Sequence, residues 1–289
     1  TVAQEQLENF INTENIVALL VRSATTVRQD LIDACPKLKI IGRGGVGMDN
    51  IDVEYAREKG LSVINTPAAS SESVAELVFA HLFSGVRFLY DSNRTMPLEG
   101  ESKFKNLKKA YAKGTELRGK TLGVIGFGRI GQATAKMALG LGMKVIAFDP
   151  FLEKTTLSLA FHDGQTVDFE IKTVSKETVL KESDFITLHV PAQKDFVIGE
   201  AEFELMKDGS ALINAARGGV VNEVALVAAL DANKLAFAGL DTFENEPTPA
   251  VQILMNPKIS LTPHIGAATN QAQDRIGSEL ASQIISILK

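Results

Sequence analysis

The chain has 289 residues, more than one ordinary domain, and its 45% hydrophobic content is ample for two compact cores. A net charge of −5 excludes general attraction to nucleic acid or anionic membranes, and no apolar run approaches the roughly 20 residues that span a bilayer. The single Cys35 excludes an internal disulfide, and no cysteine–histidine cluster suggests a metal.

From the N-terminus, QLENFINTEN reads as a helix, IVALLV as a strand, LIDACPKL as a helix carrying Cys35 in its core, LKIIG as a strand, VEYAREKG as a helix and LSVIN as a strand. This alternation implies a parallel sheet with covering helices. A long helical pattern starts near Ser73 (SVAELVFAHLFSGVRFLYDSNRT) and is expected to cross into a second domain, with His81 as a packed or surface residue. The segment from about Tyr90 to Leu117 has the mixed character of an arm that could reach a partner. Its KFKNLKK run is either a solvated face or positive charge near a partner's cleft.

A nucleotide-binding signal follows. Thr121 to Ile125 (TLGVI) reads as a buried strand running into Gly126, Gly128 and Gly131 of GFGRIG, and QATAKMALGLG reads as the helix after it. The first glycine suits a tight turn, the second lets a pyrophosphate approach the backbone, and the third lets helix and strand pack closely. The phosphates would sit at the helix N-terminus. Arg129 either reaches them or is solvated. The next strand, KVIAF, ends in Asp149, eighteen residues past Gly131, where a ribose-binding acid belongs. A carboxylate there accepts from ribose hydroxyls and repels a 2′-phosphate, so NAD is expected over NADP.

The alternation continues through DFITLHV, ALINAA, FAGLD and ISLTP, with a final helix from about Ala267 returning to the first domain. The expected domains are therefore 1–92 with 267–289, and 93–266, with the two connections side by side and the active site in a cleft between the domains. Arg217 follows ALINAA, Asp241 ends FAGLD and His264 follows ISLTP, all near carboxyl ends of strands, where ligands of open parallel sheets bind, and Glu246 lies in DTFENEP between the last two. A guanidinium can hold a carboxylate by two hydrogen bonds, and an imidazole backed by a carboxylate exchanges a proton near neutral pH. Together these suit a 2-oxo or 2-hydroxy acid.

The ordered set NTPAASSESVAE, ELRGKTLGVIGFGRIG, LHVP, NAARGGVVNE, GLDTFENEP and TPHIGA resembles the D-isomer-specific 2-hydroxyacid dehydrogenase family over nearly the whole chain, with phosphoglycerate dehydrogenases as the nearest relatives. The resemblance implies an α/β fold of two doubly wound parallel-sheet domains: a Rossmann NAD-binding domain and a flavodoxin-like substrate domain. It also implies that Arg217 clamps the substrate carboxylate and carbonyl, His264 is the proton donor or acceptor, Glu246 orients the imidazole and Asp241 accepts from the nicotinamide carboxamide. The expected cofactor set is Gly126, Gly128, Arg129, Ile130, Gly131, Asp149, His189, Val190, Pro191, Ala215, Asp241 and Gly266; His189 of LHVP borders the adenosine or is a structural loop residue.

Arg22 and Ser23 in LVRSATTV and Arg43 in GRGGVGMDN lie at or after strand ends, and the backbone of Gly44, Gly45 and Val46 is a candidate carboxylate site. Two arginines beyond Arg217 suit an added phosphate, unless they form ion pairs with Asp49 or Asp52. The expected substrate is 3-phosphoglycerate, whose oxidation would open serine biosynthesis. The alternatives are a hydroxypyruvate or glyoxylate reductase and, from another class, an NAD-sensing corepressor-like scaffold.

Relatives imply a homodimer through the nucleotide domain, and the absence of a secretory signal makes the cytoplasm the expected compartment. The chain opens at Thr1 within the first helix, where relatives carry a strand before it; a truly absent strand would leave the first sheet with an unprotected edge. Asn222 replaces a common aspartate of the family and is an equally good N-cap. The chain stops at Lys289 without a regulatory extension, so feedback through such a domain is not expected.

Overall fold

The computed structural model describes residues 2–289, and these divide into two compact units. The first comprises residues up to Ser73 together with Ala267–Lys289, and the second is Val74–Gly266. The division at Ser73 and Val74 lies upstream of the expected 92/93 boundary, so nearly all of the long helical pattern belongs to the second unit.

In the first unit α1 (Leu7–Thr13), β1 (Ala18–Val21), α2 (Gln29–Ala34), β2 (Ile40–Arg43), α3 (Val53–Glu58) and β3 (Ser62–Asn65) alternate as the sequence pattern predicts. The strands form one parallel sheet in the order β1-β2-β3. Val21 and Ile41 bury against Leu31, Ile32 and Ala56 on one face, while Ile64 packs against Ile276 and Leu280 of the C-terminal helix (Asn270–Leu288). Helix α2 ends at Ala34 because Cys35 precedes Pro36, whose ring disfavours the helical region for the residue before it. Cys35 is thus the residue after the helix, and it is buried. The chain leaves and re-enters this unit near Ser73 and Thr269, whose hydroxyls are 2.7 Å apart.

The second unit opens with α4 (Ser71–Val86, whose first three residues lie in the first unit) and α5 (Leu89–Ala110). They are separate helices because Phe88 takes a left-handed conformation (φ 55°), which an L-residue cannot continue as an α-helix. The segment expected as an arm is therefore largely helical, with Pro97 inside it and a kink at Lys103. Next come β4 (Thr121–Ile125), α6 (Arg129–Gly140), β5 (Lys144–Phe148), β6 (Lys154–Ala160), β7 (Thr166–Lys172), α7 (Lys176–Glu182) and β8 (Phe185–Leu188). They are followed by α8 (Glu200–Leu205), β9 (Ser210–Asn214), α9 (Glu223–Asp231), β10 (Leu235–Leu240), α10 (Val251–Leu254) and β11 (Ile259–Leu261). Six of these strands form a parallel sheet in the order β11-β10-β9-β8-β4-β5.

The central strands are continuous apolar runs because both faces are covered, as burial of Leu122, Val124, Ile186, Leu188, Leu212 and Ile213 shows. Removing side chains of this size from water stabilises the fold by roughly 1.5–3 kcal/mol each. Strands β6 and β7 are an unanticipated antiparallel hairpin of seven residue pairs inserted after β5. Its end is tied to the main sheet by a parallel bridge between Ala147 and Thr173.

Candidate active site

Strand order reverses between β4 and β8: the chain leaves β4 toward β5 on one side and later places β8 on the other. The two strands stay paired to their last residues, Ile125 and Leu188, and the chain segments after them part at Gly126 and His189. Gly126 has φ 90°, and a Cβ on it would lie 2.5 Å from the His189 carbonyl oxygen. At Gly131 a Cβ would lie 2.2 Å from the Gly126 carbonyl oxygen, whereas at Gly128 it would meet nothing within 4 Å. The N-terminus of α6 thus opens on free space with no side-chain cap, an arrangement of amides and helix dipole that suits a diphosphate.

Asp149 Oδ2 accepts from the Phe127 amide at 2.8 Å, and Oδ1 accepts from the Phe151 amide at 2.9 Å. The carboxylate therefore ties the glycine turn to the end of β5, and its remaining lone pairs suit ribose hydroxyls. His189 Nε2 bonds the Thr187 hydroxyl at 3.1 Å, while its Nδ1 is buried without a partner. Burial pushes this imidazole down to about 3, so the ring is neutral at working pH. A buried ring nitrogen awaiting a partner beside the turn fits a bound nucleotide.

The opposite half of the sheet edge carries a histidine–carboxylate pair. His264 Nδ1 is 2.8 Å from Glu246 Oε2, and Glu246 Oε1 accepts from the Phe243 amide at 3.0 Å. An ionised carboxylate only accepts, so the neutral imidazole carries its proton on Nδ1 and leaves Nε2 as an acceptor. The His264 side chain is 43% exposed, and its backbone is left-handed at φ 55°, a strained conformation that the surroundings must hold in place.

Asp241 supplies that hold. It is 1% exposed. Its Oδ1 accepts from the Ile265 amide at 2.8 Å and the Thr262 hydroxyl at 2.6 Å, and its Oδ2 accepts from the Gly266 amide at 2.8 Å. The expected role of Asp241 as a carboxamide acceptor is thereby narrowed: three bonds from the His264 loop come first, leaving one lone pair on Oδ2.

Arg217 stands on the loop after β9. Its Nη1 donates to the Ala216 carbonyl at 2.7 Å, and Asn214 pins the loop by donating from Nδ2 to the Arg217 carbonyl and accepting from the Ala216 amide. At Gly218 a Cβ would lie 1.8 Å from the Phe243 carbonyl oxygen, so glycine brings the Arg217 loop against the segment that leads to Glu246. Glu223 and Glu244 lock the same two loops, each carboxylate accepting from the other's amide at 2.7 and 2.8 Å. Burial raises the Glu223 carboxyl above its ordinary value. Sequence reasoning missed both, although Glu244 lies two residues before Glu246. Asn222 caps α9 as expected, accepting from the Ala225 amide at 2.9 Å.

The first unit departs from expectation. Arg43 turns back on its own loop: Nε donates to Asn50 Oδ1 at 3.2 Å and Nη1 to the Gly44 carbonyl at 2.5 Å. Its guanidinium braces the loop instead of extending to a ligand. The amides of Gly44 and Gly45 are also engaged, with Val21 and Arg43 carbonyls, which leaves the Val46 N–H from the expected carboxylate site. Asp52 pairs at 2.8 Å with Arg28 instead of with Arg22 or Arg43. Arg22 and Ser23 are exposed just beyond β1.

Among the described residues no group of acids, histidines and cysteines could hold a metal ion, and no helix is long and apolar enough to cross a membrane. The profile of the D-isomer specific 2-hydroxyacid dehydrogenase NAD-binding domain matches residues 79–266. Hydroxypyruvate reductase of Thermotoga maritima is 46% identical over 93% of this chain and 84% of that protein. D-3-phosphoglycerate dehydrogenase of Archaeoglobus fulgidus is 41% identical over 94% of this chain, which spans about half (49%) of that protein. D-lactate dehydrogenase from Aquifex aeolicus, solved with NAD and lactic acid, aligns with a TM-score of 0.75 at 30% identity over 99% of this chain and 93% of that one. A glycine turn opening on an uncapped helix and a carboxylate-backed histidine thus lie on one sheet, and the chain belongs to the D-isomer specific 2-hydroxyacid dehydrogenases, a family of NAD-dependent oxidoreductases.

Proposed function

We propose that the protein oxidises 3-phospho-D-glycerate to 3-phosphohydroxypyruvate, with His264 as the acid–base group. Arg217 holds the substrate carboxylate by paired hydrogen bonds. In the oxidising direction Nε2 of neutral His264 takes the C2 hydroxyl proton, and Glu246 stabilises the imidazolium that forms. The α6 N-terminus, Asp149 and the segment from His189 to Pro191 would hold NAD, whose nicotinamide would accept the hydride that leaves C2. In the reducing direction protonated His264 returns the proton to the carbonyl oxygen. Acid–base assistance of this kind is commonly worth about 10² to 10⁴ in rate. The 2.8 Å pair between His264 Nδ1 and Glu246 Oε2 carries this reading.

The phosphorylated substrate rests on Arg22. It is exposed at the carboxyl end of β1, and among the described residues its guanidinium takes no side-chain partner, so it is available for an anion. The engagement of Arg43 with Asn50 and Gly44 favours a second reading, a hydroxypyruvate or glyoxylate reductase, because one arginine is withdrawn from phosphate binding. Arg22→Ala separates the two. For a phosphoglycerate dehydrogenase, kcat/KM for 3-phosphohydroxypyruvate falls far more than that for hydroxypyruvate, whereas equal losses, or preference of the parent protein for the unphosphorylated acid, establish the second reading.

A further inference from the structure

His81 lies in the middle of α4 and is 2% exposed, far in sequence from every residue assigned above. It meets β10 directly: a Cβ on Gly239 would lie 2.7 Å from the His81 Cβ, so glycine at that position lets the imidazole reach the end of β11. Both ring nitrogens are bonded there, Nδ1 to the Ser260 hydroxyl at 2.9 Å and Nε2 to the Thr262 hydroxyl at 3.1 Å.

The direction of each proton follows from Asp241. An ionised carboxylate only accepts, so the Thr262 hydroxyl spends its proton on Oδ1 at 2.6 Å. Thr262 must then accept from His81, which places the ring proton on Nε2. Burial holds the His81 imidazole below its ordinary value despite the opposing charge of Asp241, so the ring is neutral and Nδ1 takes the Ser260 proton. Ser260, His81, Thr262 and Asp241 thus form one chain of donors pointing the same way, ending on the carboxylate that holds the amides of Ile265 and Gly266.

We propose that His81 is a positioning residue: its Nε2–H holds the Thr262 hydroxyl on Asp241, and Asp241 holds the left-handed backbone on which His264 presents its base. This rests on His264 being the acid–base group. A leucine at position 81 would fill the space but leave Thr262 free to turn away from Asp241, and the His264 loop would populate arrangements in which Nε2 misses the substrate. The expected loss in kcat is about fivefold to thirtyfold, the scale of one buried hydrogen bond biasing a two-state loop.

The experiment compares His81→Leu, Thr262→Val and the double variant by kcat, KM for NADH and thermal midpoint, with His81→Gln as the rescue, since its amide can donate near the position of Nε2. The expected result is an equal kcat loss in both single variants, no further loss in the double, an unchanged KM for NADH, and recovery in His81→Gln. Additive losses, or a lowered thermal midpoint with unchanged kcat, overturn the proposal. Side-chain ¹⁵N–¹H spectra judge it without turnover and without the leucine variant: with four histidines in the chain, His81 should show the neutral Nε2–H form, and the Nδ1–H form overturns it. Absence of oxoacid turnover in the parent protein, or full turnover in His264→Gln, would instead sink the proposed function and leave the spectra to decide the bonding chain.

Discussion

Replacing Glu246 by glutamine changes one oxygen into an NH₂ and tests the acid–base pair directly. Oε1 accepts from the Phe243 amide at 3.0 Å and Oε2 faces His264 Nδ1 at 2.8 Å. If the glutamine keeps its oxygen on Phe243, its NH₂ confronts Nδ1, and the imidazole must move its proton to Nε2, the atom that should accept from the substrate. If the amide flips, the NH₂ confronts the Phe243 N–H instead and two donors collide. The first arrangement removes the Nε2 acceptor that the substrate hydroxyl needs, and the second leaves opposed donors unsatisfied; either costs about 1–3 kcal/mol. The lost charge adds little, because the His264 and Glu246 side chains are 43% and 37% exposed and solvent screens the pair to at most about 1 kcal/mol. The sum of about 1–4 kcal/mol corresponds to a fall in kcat of roughly 5- to 1000-fold. Steady-state oxidation of the preferred 2-hydroxy acid, with NADH affinity measured separately by fluorescence, should show this loss at nearly unchanged affinity. A Glu246→Gln enzyme within twofold of the parent kcat would refute the tautomer assignment and with it the role of Glu246.

Gly218→Ala places a methyl 1.8 Å from a backbone carbonyl oxygen and 2.6 Å from its carbon, so the Arg217 and Glu246 loops must separate. We expect a loss of at least about 1–3 kcal/mol by calorimetry together with reduced kcat, and an unchanged thermal midpoint would show that the loops are not held as described. Asp149→Ala leaves the Phe127 and Phe151 amides without their acceptor, which should weaken NADH binding and cost about 1–3 kcal/mol of stability per amide that stays dry. Undiminished NADH affinity in a fluorescence titration would remove Asp149 from the cofactor site. His189, held down to about 3 in the folded protein against an ordinary value near 6.5, binds its proton more readily when unfolded. The unfolded state therefore holds more protons between these values, and stability should fall as pH drops from about 6.5 towards 3. His189→Gln should flatten that acid limb in urea titrations; the same slope in both proteins would mean that His189 titrates normally.

Legibility in the sequence followed the range of the interaction. The strands of the large sheet were readable because burial on both faces makes each a short apolar run, and Thr121–Ile125 and Lys144–Phe148 end where the residue pattern places them. The glycine turn and Asp149 were readable because their spacing is set by one strand–turn–helix unit. The β6–β7 hairpin had a local signal too, alternation in TTLSLA and TVDFEIK around Asp163–Gly164, but it was hidden by the expectation that every strand follows a helix. Phe88 ended α4 without warning because its left-handed backbone is not a preference of phenylalanine.

Which atom bonds which could not be read at all. Arg43 and Arg22 sit at equivalent strand ends, yet one guanidinium folds onto Asn50 and the other is exposed, a difference decided by the loop that follows β2. Asp241 is legible as an acid at the end of a strand, but its service to the amides of Ile265 and Gly266 is not, because that bond set joins the end of β10 to the loop after β11. His81 shows the limit most sharply. Its partners Ser260 and Thr262 lie 179 and 181 residues away, so in the sequence it is an ordinary helix residue. Only the close approach at Gly239 brings its ring to them. Acid–base residues are recognisable by their chemistry wherever they occur, whereas the groups that hold them in place are recognisable only by contact. Through His81, α4 reaches the same Thr262 hydroxyl that donates to Asp241 beneath the loop of His264.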